Sequence, residues 1–184
     1  MTMEASASST ASLTVIPGRA RLLGDDINTD YIISSSRKKD SVDPLVLRGY
    51  LLEDLDPDFA ASVQEGDILV AGHNFGCGSA MEVAVTVVLA AGIRVVVARS
   101  FARTYWRNAI NNGLLLITAP VDDLCELVRE GEVVALHLSG SRAELRVGAD
   151  ARRVIPCEPV PEIVLKLREA GGLVPYLRRH RTLA

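Results

Sequence analysis

The stretch Asp67-Ile68-Leu69-Val70-Ala71-Gly72-His73-Asn74-Phe75-Gly76-Cys77-Gly78-Ser79-Ala80-Met81-Glu82 decides the fold of this chain. Its first six residues form a short apolar run of the kind that makes a strand covered on both faces. The segment Met81 to Ala91 is rich in Val, Ala and Leu and nearly free of charge, so it predicts a helix packed on most sides. Gly92 suits its end. The chain then repeats the alternation. Ile93–Ala98 predicts a second buried strand, Phe101–Asn112 a helix closed by Gly113, and Leu114–Thr118 a third strand. Strand, helix, strand, helix, strand is an α/β pattern with a parallel βαβ core and right-handed crossovers.

The flanks are read outward from this core. Gly18–Leu23 predicts an earlier strand, and Gly24–Asp30 a polar turn. After the apolar Tyr31-Ile32-Ile33, the segment Ser34–Asp40 predicts a long surface loop or site mouth. Pro44–Tyr50 and Pro57–Val63 suit short helices. On the carboxyl side, Val121–Arg129 predicts a helix and Glu132–Leu138, Ala143–Val147 and Arg153–Cys157 predict strands. Pro161–Ala170 suits a helix that stops at Gly171-Gly172. The cationic end, Leu177–Arg181, fits a helix terminus whose dipole it complements. Residues 1–13, rich in Ser, Ala and Thr, predict a disordered leader, and 14–184 a single domain.

Composition removes several functions. The net charge of −3 and the 4% aromatic content supply neither a basic surface nor a stacking platform for nucleic acid. No apolar run has the length that spans a bilayer, and the N-terminus lacks the basic and apolar regions of a secretion signal. Cytoplasmic placement is the expectation. Cys77, Cys125 and Cys157 are dispersed, which suits neither a disulfide framework nor a metal site in this chain.

The turn between strand and helix carries the chemistry. Gly76 and Gly78 permit tight bending and close approach to a ligand, and the turn lies at the carboxyl edge of the parallel strands, where open α/β folds bind ligands. Unpaired N–H groups at the start of the next helix would hold a carboxylate or phosphate. A structural alternative stands beside this. Ser79 and Glu82 are spaced as a capping box, in which case the serine is only a cap worth about 1 kcal/mol. The residues alone leave both readings open. A P-loop is excluded by the missing Lys-Ser/Thr ending, and only His73, His137 and His180 exist to support a triad.

Gly24-Asp25-Asp26-Ile27-Asn28-Thr29-Asp30-Tyr31-Ile32-Ile33 resembles the opening segment of the aconitase-family swivel domain. Glu65-Gly66-Asp67 through Asn74-Phe75-Gly76-Cys77-Gly78-Ser79 resembles its strand and loop. Ala98–Arg103, Arg107–Gly113 and Glu169–Leu173 come next in the family's order. The resemblance extends to the free-standing small subunits of isopropylmalate and homoaconitate isomerases.

It implies a single compact swivelling β/β/α domain, as in the aconitase C-terminal domain. It implies the small subunit of a heterodimeric hydro-lyase of leucine-type amino-acid biosynthesis. That subunit would work with a large subunit carrying a [4Fe–4S] cluster, with none bound by this chain, on a small 2-hydroxy di- or tricarboxylate. By the resemblance Ser79 is the catalytic base, and Gly78, Ser79 and Ala80 line the substrate site.

Two departures stand out. The family loop continues Ser-Arg-Glu-His, but this chain reads Ala80-Met81-Glu82-Val83, so Met81 takes the place of a carboxylate-gripping arginine. The loop after Ile33 reads Ser34-Ser35-Ser36-Arg37-Lys38-Lys39, where Arg37 or Lys38 would supply a cation from another direction, or the loop is simply solvated. The departures also admit a non-catalytic relative that keeps the domain as a partner-binding or regulatory module.

Overall fold

The structure, a computed structural model, describes residues 13–39 and 41–182. Seven strands form one sheet in the order β4-β3-β2-β1-β5-β6-β7. Strands β1 (Leu13–Leu22), β2 (Ile68–Ala71), β3 (Val95–Ala98) and β4 (Leu115–Thr118) run parallel. Strands β5 (Val133–Ser139), β6 (Arg142–Val147) and β7 (Arg153–Cys157) continue antiparallel from the other side of β1. β1 joins the two halves. Its residues Leu13 to Arg19 pair with β5, and Ala20 to Leu22 pair with β2.

Period-two alternation explains the layering. Leu69, Ala71, Val96, Ala98 and Leu116 point to one face, beneath helices α4 (Val83–Ala90) and α5 (Arg103–Asn112). Ile68, Val70, Val95, Val97, Leu115 and Ile117 point to the other. There they meet Val134, Leu136 and Leu145 of the antiparallel half, which curls back over the parallel half. Helices α6 (Leu124–Leu127) and α7 (Glu162–Ala170) close that second core. The result is the expected β/β/α arrangement, two sheet layers and one helical layer, around a parallel βαβ core.

Short helices α1 (Thr29–Ile32), α2 (Pro44–Leu47) and α3 (Phe59–Ser62) fill the connection from β1 to β2. A last helix, α8 (Leu173–His180), comes after the Gly171 and Gly172 break and ends in Arg178, Arg179 and His180. The expected leader lies outside the described residues except for Leu13, which pairs with Ser139 and so already belongs to β1.

Helix α4 is shorter at its start than its composition predicts. It begins at Val83, two residues later than Met81. Its Val-rich sequence is a weak helix former, and burial of Ala84, Val85, Val87 and Val88 stabilises it instead.

Candidate active site

Leaving β2, the chain makes a loop from Gly72 to Glu82 along the carboxyl edge of the parallel strands. Two of its turns need glycine. Gly76 has φ +79° with its α-carbon against the Tyr105 ring, and Gly78 has φ +93° against the Asn28 side chain. A Cβ would stand 2.2 Å from Tyr105 Cγ at the first and 2.5 Å from Asn28 Oδ1 at the second. Side chains are excluded at both positions.

The loop is pinned by the Gly24–Thr29 segment, about fifty residues earlier. Asp26 N–H donates to the His73 carbonyl (2.8 Å), His73 N–H to Asp25 Oδ1 (2.6 Å) and Asn74 Nδ2 to Asp26 Oδ1 (2.7 Å). Asp26 and Asn74 both adopt positive φ, +52° and +58°, strain that this mutual clasp holds in place. Further on, Gly76 N–H donates to Ile27 O (2.8 Å) and Thr29 N–H to Cys77 O (2.8 Å). Thr29, only 1% exposed, donates its hydroxyl to the carbonyl of Ser79 at 3.0 Å. His73 serves through its backbone, with its ring exposed.

Above this clamp, Gly78, Ser79 and Ala80 are exposed. Among the described residues, no protein acceptor takes their N–H groups or the Ser79 hydroxyl hydrogen. The capping box does not form. Helix α4 starts four residues after Ser79, the residue at its N-cap is Glu82 with no capping bond, and the Glu82 carboxylate instead accepts from Asn112 Nδ2 (3.3 Å). At the helix start, the N–H groups of Glu82 and Val83 have no protein acceptor among the described residues. Ala84 and Val85 N–H groups bond to the Met81 and Glu82 carbonyls. The free donors run from Gly78 in the loop to Val83 at the first position of α4, interrupted by Met81, whose N–H donates to the Ser79 carbonyl.

The two candidate cations separate clearly. Arg37 donates to both carboxylate oxygens of Glu53 (2.7 and 2.8 Å) and lies 4.0 Å over the Tyr50 ring. It is held by its own segment. Lys38 points the other way, with its ammonium against the thioether sulfur of Met81. The structure therefore sets Lys38 beside Met81, two residues along the loop from Ser79, and commits the Arg37 guanidinium to Glu53 and Tyr50.

Among the described residues, no three His, Cys, Asp or Glu side chains converge as a metal site. The three thiols lie on separate elements, and burial is the first cause that pushes each of them up, Cys157 to about 11. Set apart in this way, they do not converge as the thiolate set that an iron–sulfur cluster needs. Among the described residues, no helix is long and apolar enough to cross a membrane.

Comparison with known proteins agrees with this architecture. The aconitase C-terminal domain pattern matches residues 52–121. The 3-isopropylmalate dehydratase small subunit 1 of Methanopyrus kandleri is 44% identical over 167 residues, 90% of this chain and 94% of that one. The methanogen homoaconitase small subunit of Methanocaldococcus jannaschii is 38% identical over 169 residues, 92% of this chain and 95% of its own length. A crystal structure of 3-isopropylmalate dehydratase from Methanocaldococcus jannaschii superposes with a TM-score of 0.82 at 38% identity, over 91% of this chain and 96% of the other. With that identity along nearly its whole length, and with the same layered fold, this chain belongs to the aconitase C-terminal-domain family as the small subunit of a two-subunit hydro-lyase.

Proposed function

We propose that this small subunit serves the dehydration and rehydration of a 2-hydroxy di- or tricarboxylate of the isopropylmalate class, in the cytoplasm, with Ser79 as the proton-abstracting base. One observation carries this reading: the Ser79 hydroxyl stands free at the mouth of a loop whose backbone is clamped by Thr29. A base that must move a proton needs a fixed backbone and an uncommitted side chain. Ser79 has both.

The neighbouring groups suit the charge of the substrate. The exposed N–H groups of Gly78, Ser79 and Ala80 are donors for one carboxylate. Lys38 carries its ammonium to the position beside Met81, where the family has an arginine. It is the chain's substitute cation, reaching in from the loop after Ile33. As a point charge it lacks the two-pronged grip of a guanidinium, so it tolerates more than one carboxylate geometry. The apolar Met81 beside it suits an alkyl substituent.

Because this chain's thiols do not fit a cluster, the [4Fe–4S] group implied by the family is assigned to the large subunit. Bound there, it supplies Lewis-acid polarisation of the substrate hydroxyl.

The test is Ser79→Ala in the complex reconstituted anaerobically with the large subunit and assayed on alkylmalates. Turnover is expected to fall by roughly 10²–10⁴-fold, the usual contribution of a positioned base. Thermal stability should not change, since Ser79 caps no helix. Retained turnover overturns the assignment.

A further inference from the structure

The arginines of the segment after β3 are not used by the chemistry above. Arg99, Arg103 and Arg107, together with Phe101, Trp106, Thr118 and Glu158, line an open cleft of about 820 Å³. Arg99 pairs with the exposed Asp122 at 2.6 Å. Arg103 and Arg107, one turn apart on α5 and both exposed, have no protein partner among the described residues. Two uncommitted guanidiniums and a half-buried indole in one cleft of a chain with net charge −3 call for an acidic occupant. Arg and Trp are also the residue types that dominate binding energy at interfaces.

The position of the cleft names that occupant. It opens at the carboxyl ends of β3 and β4, on the same edge where the Ser79 loop leaves β2. Neighbouring strands lie about 4.8 Å apart, so the cleft begins roughly one to two strand spacings from that loop. The two are joined by backbone. Phe75 N–H donates to Ser100 O (3.0 Å) and Ala102 N–H to Phe75 O (2.9 Å). Beneath the surface the fully buried Phe75 ring packs edge-on against Phe101 at 6.1 Å, and Phe101 against the half-buried Trp106 at 5.4 Å. A macromolecule that presents a reaction centre to Ser79 must cover this adjoining edge. The cleft is wide and open, with its cations spread along a helix turn, so it fits a protein surface better than one small anion.

We propose that the Arg99–Arg103–Arg107 cleft is the seat of the large subunit, filled by carboxylate side chains of that partner. This rests on the reading that Ser79 acts on a substrate held by the large subunit.

The test measures the dissociation constant of the full chain for the large subunit encoded in the same genome, by biolayer interferometry under anaerobic conditions. The double variant Arg103→Glu/Arg107→Glu should weaken binding at least about tenfold at low salt, mainly through slower association, and should flatten the salt dependence. Arg178→Glu/Arg179→Glu makes the same charge change on α8, outside the cleft lining, and should weaken binding several-fold less than the α5 double variant at the same salt, since it removes no direct contact. Should the reversed variant not fold, Arg103→Gln/Arg107→Gln carries the same test with a smaller expected loss. Equal weakening by both charge-reversed doubles overturns the proposal, as does an unchanged dissociation constant. A raised KM with unchanged association also overturns it, by placing a small carboxylate in the cleft. Ser79→Ala keeps the two readings apart. If it retains turnover while Arg103→Glu/Arg107→Glu weakens binding, the assignment of the base fails and the seat stands. If it loses turnover while the arginine variants bind normally, only the seat fails.

Discussion

Thr29 spends its single hydroxyl hydrogen on the carbonyl of Ser79, while its own N–H holds Cys77. It is a positioning residue, since it touches the backbone of the base and not the hydroxyl. Thr29→Val keeps the shape and removes the donor. The expected result is a kcat lower by about tenfold with KM little changed, because a displacement of the base affects the transition state more than binding. Thr29→Ser should restore most of it, an outcome that a purely packing role does not give. Lys38 acts differently. Lys38→Ala removes a charged donor worth about 1.5–3 kcal/mol, so KM should rise roughly ten- to a hundredfold. Arg37→Ala should leave KM alone and cost about 1 kcal/mol of stability through the lost Glu53 pair and Tyr50 stack. Steady-state kinetics on the reconstituted complex separate the two neighbours. From the residues alone Arg37 and Lys38 were equivalent, since which cation turns inward depends on Glu53, sixteen residues away. Thr29 carried no local mark of its task either. Its partner lies fifty residues on, and only the family resemblance of the Gly24–Asp30 segment drew notice to it.

At the scale of elements, the join of β1 and β2 is braced by a buried ionic group. Asp67, 2% exposed, accepts from Arg19 Nη2 (2.8 Å) and Gln64 N–H (3.0 Å) and lies 3.4 Å from Arg21 Nη1. Arg21, itself buried, also donates to Glu130 (2.7 Å) and sits 4.3 Å over Phe59. Burial by itself would push the Asp67 carboxyl up, but the Arg19 and Gln64 hydrogen bonds outweigh it, and the group is held below its ordinary range. A carboxyl lowered in the fold adds stability above its unfolded value of about 3.9 and loses it as pH falls through the folded value. The thermal midpoint should therefore drop as pH is taken from about 5 toward 3, in line with this linkage. Asp67→Asn should cost about 3 kcal/mol at neutral pH, because Arg21 stays buried with one acidic partner fewer, and should flatten that acid limb. Calorimetry of both proteins across the range checks it. Of the two strands at this join, β2 was legible from its apolar run, whereas β1 was read from loose alternation and only from Gly18, five residues after it begins. The start of α4 was not legible. Ser79 and Glu82 have the spacing of a capping box, but Gly78 and the Thr29 clamp hold the loop out past Ser79, and the helix begins only where Val83 and its successors reach the core. The last helix, α8, was legible only in the cationic charge at its end. Its apolar positions are few, and Tyr176 is its one buried residue.

At the scale of the whole molecule, the two halves of the sheet share one strand, and Gly18 sits at the changeover. Gly18 faces Val134 of β5, while Ala20, two residues on, faces Ile68 of β2. This curl lays the inner face of β5–β7 onto the parallel strands and gives the molecule its second core. Nothing in the periodicity of the separate strands foretells it, because alternation specifies which face is buried and not what covers it. The glycine shows how close the approach is. A Cβ at Gly18 would stand 2.4 Å from the Gly66 carbonyl oxygen and 2.8 Å from Ile68 Cγ1. The first is backbone and cannot turn aside, so room must come from separating β1 from the Gly66 turn that leads into β2. Gly18→Ala is therefore expected to lower stability by about 1–3 kcal/mol, the usual cost of an added carbon in a closely packed place. This reverses the small gain that Gly→Ala gives where the backbone has space. Gly131→Ala is not a fair control, since its φ of +74° strains any side chain. Gly49→Ala is, having nothing within 4 Å of the added carbon and no positive φ. Urea unfolding of the parent and these two variants should give a lower midpoint for Gly18→Ala with an unchanged slope, and a midpoint for Gly49→Ala equal to or above the parent. Equal midpoints for all three would mean that the sheet yields at this point, and that the join of the two cores is looser than its atomic contacts imply.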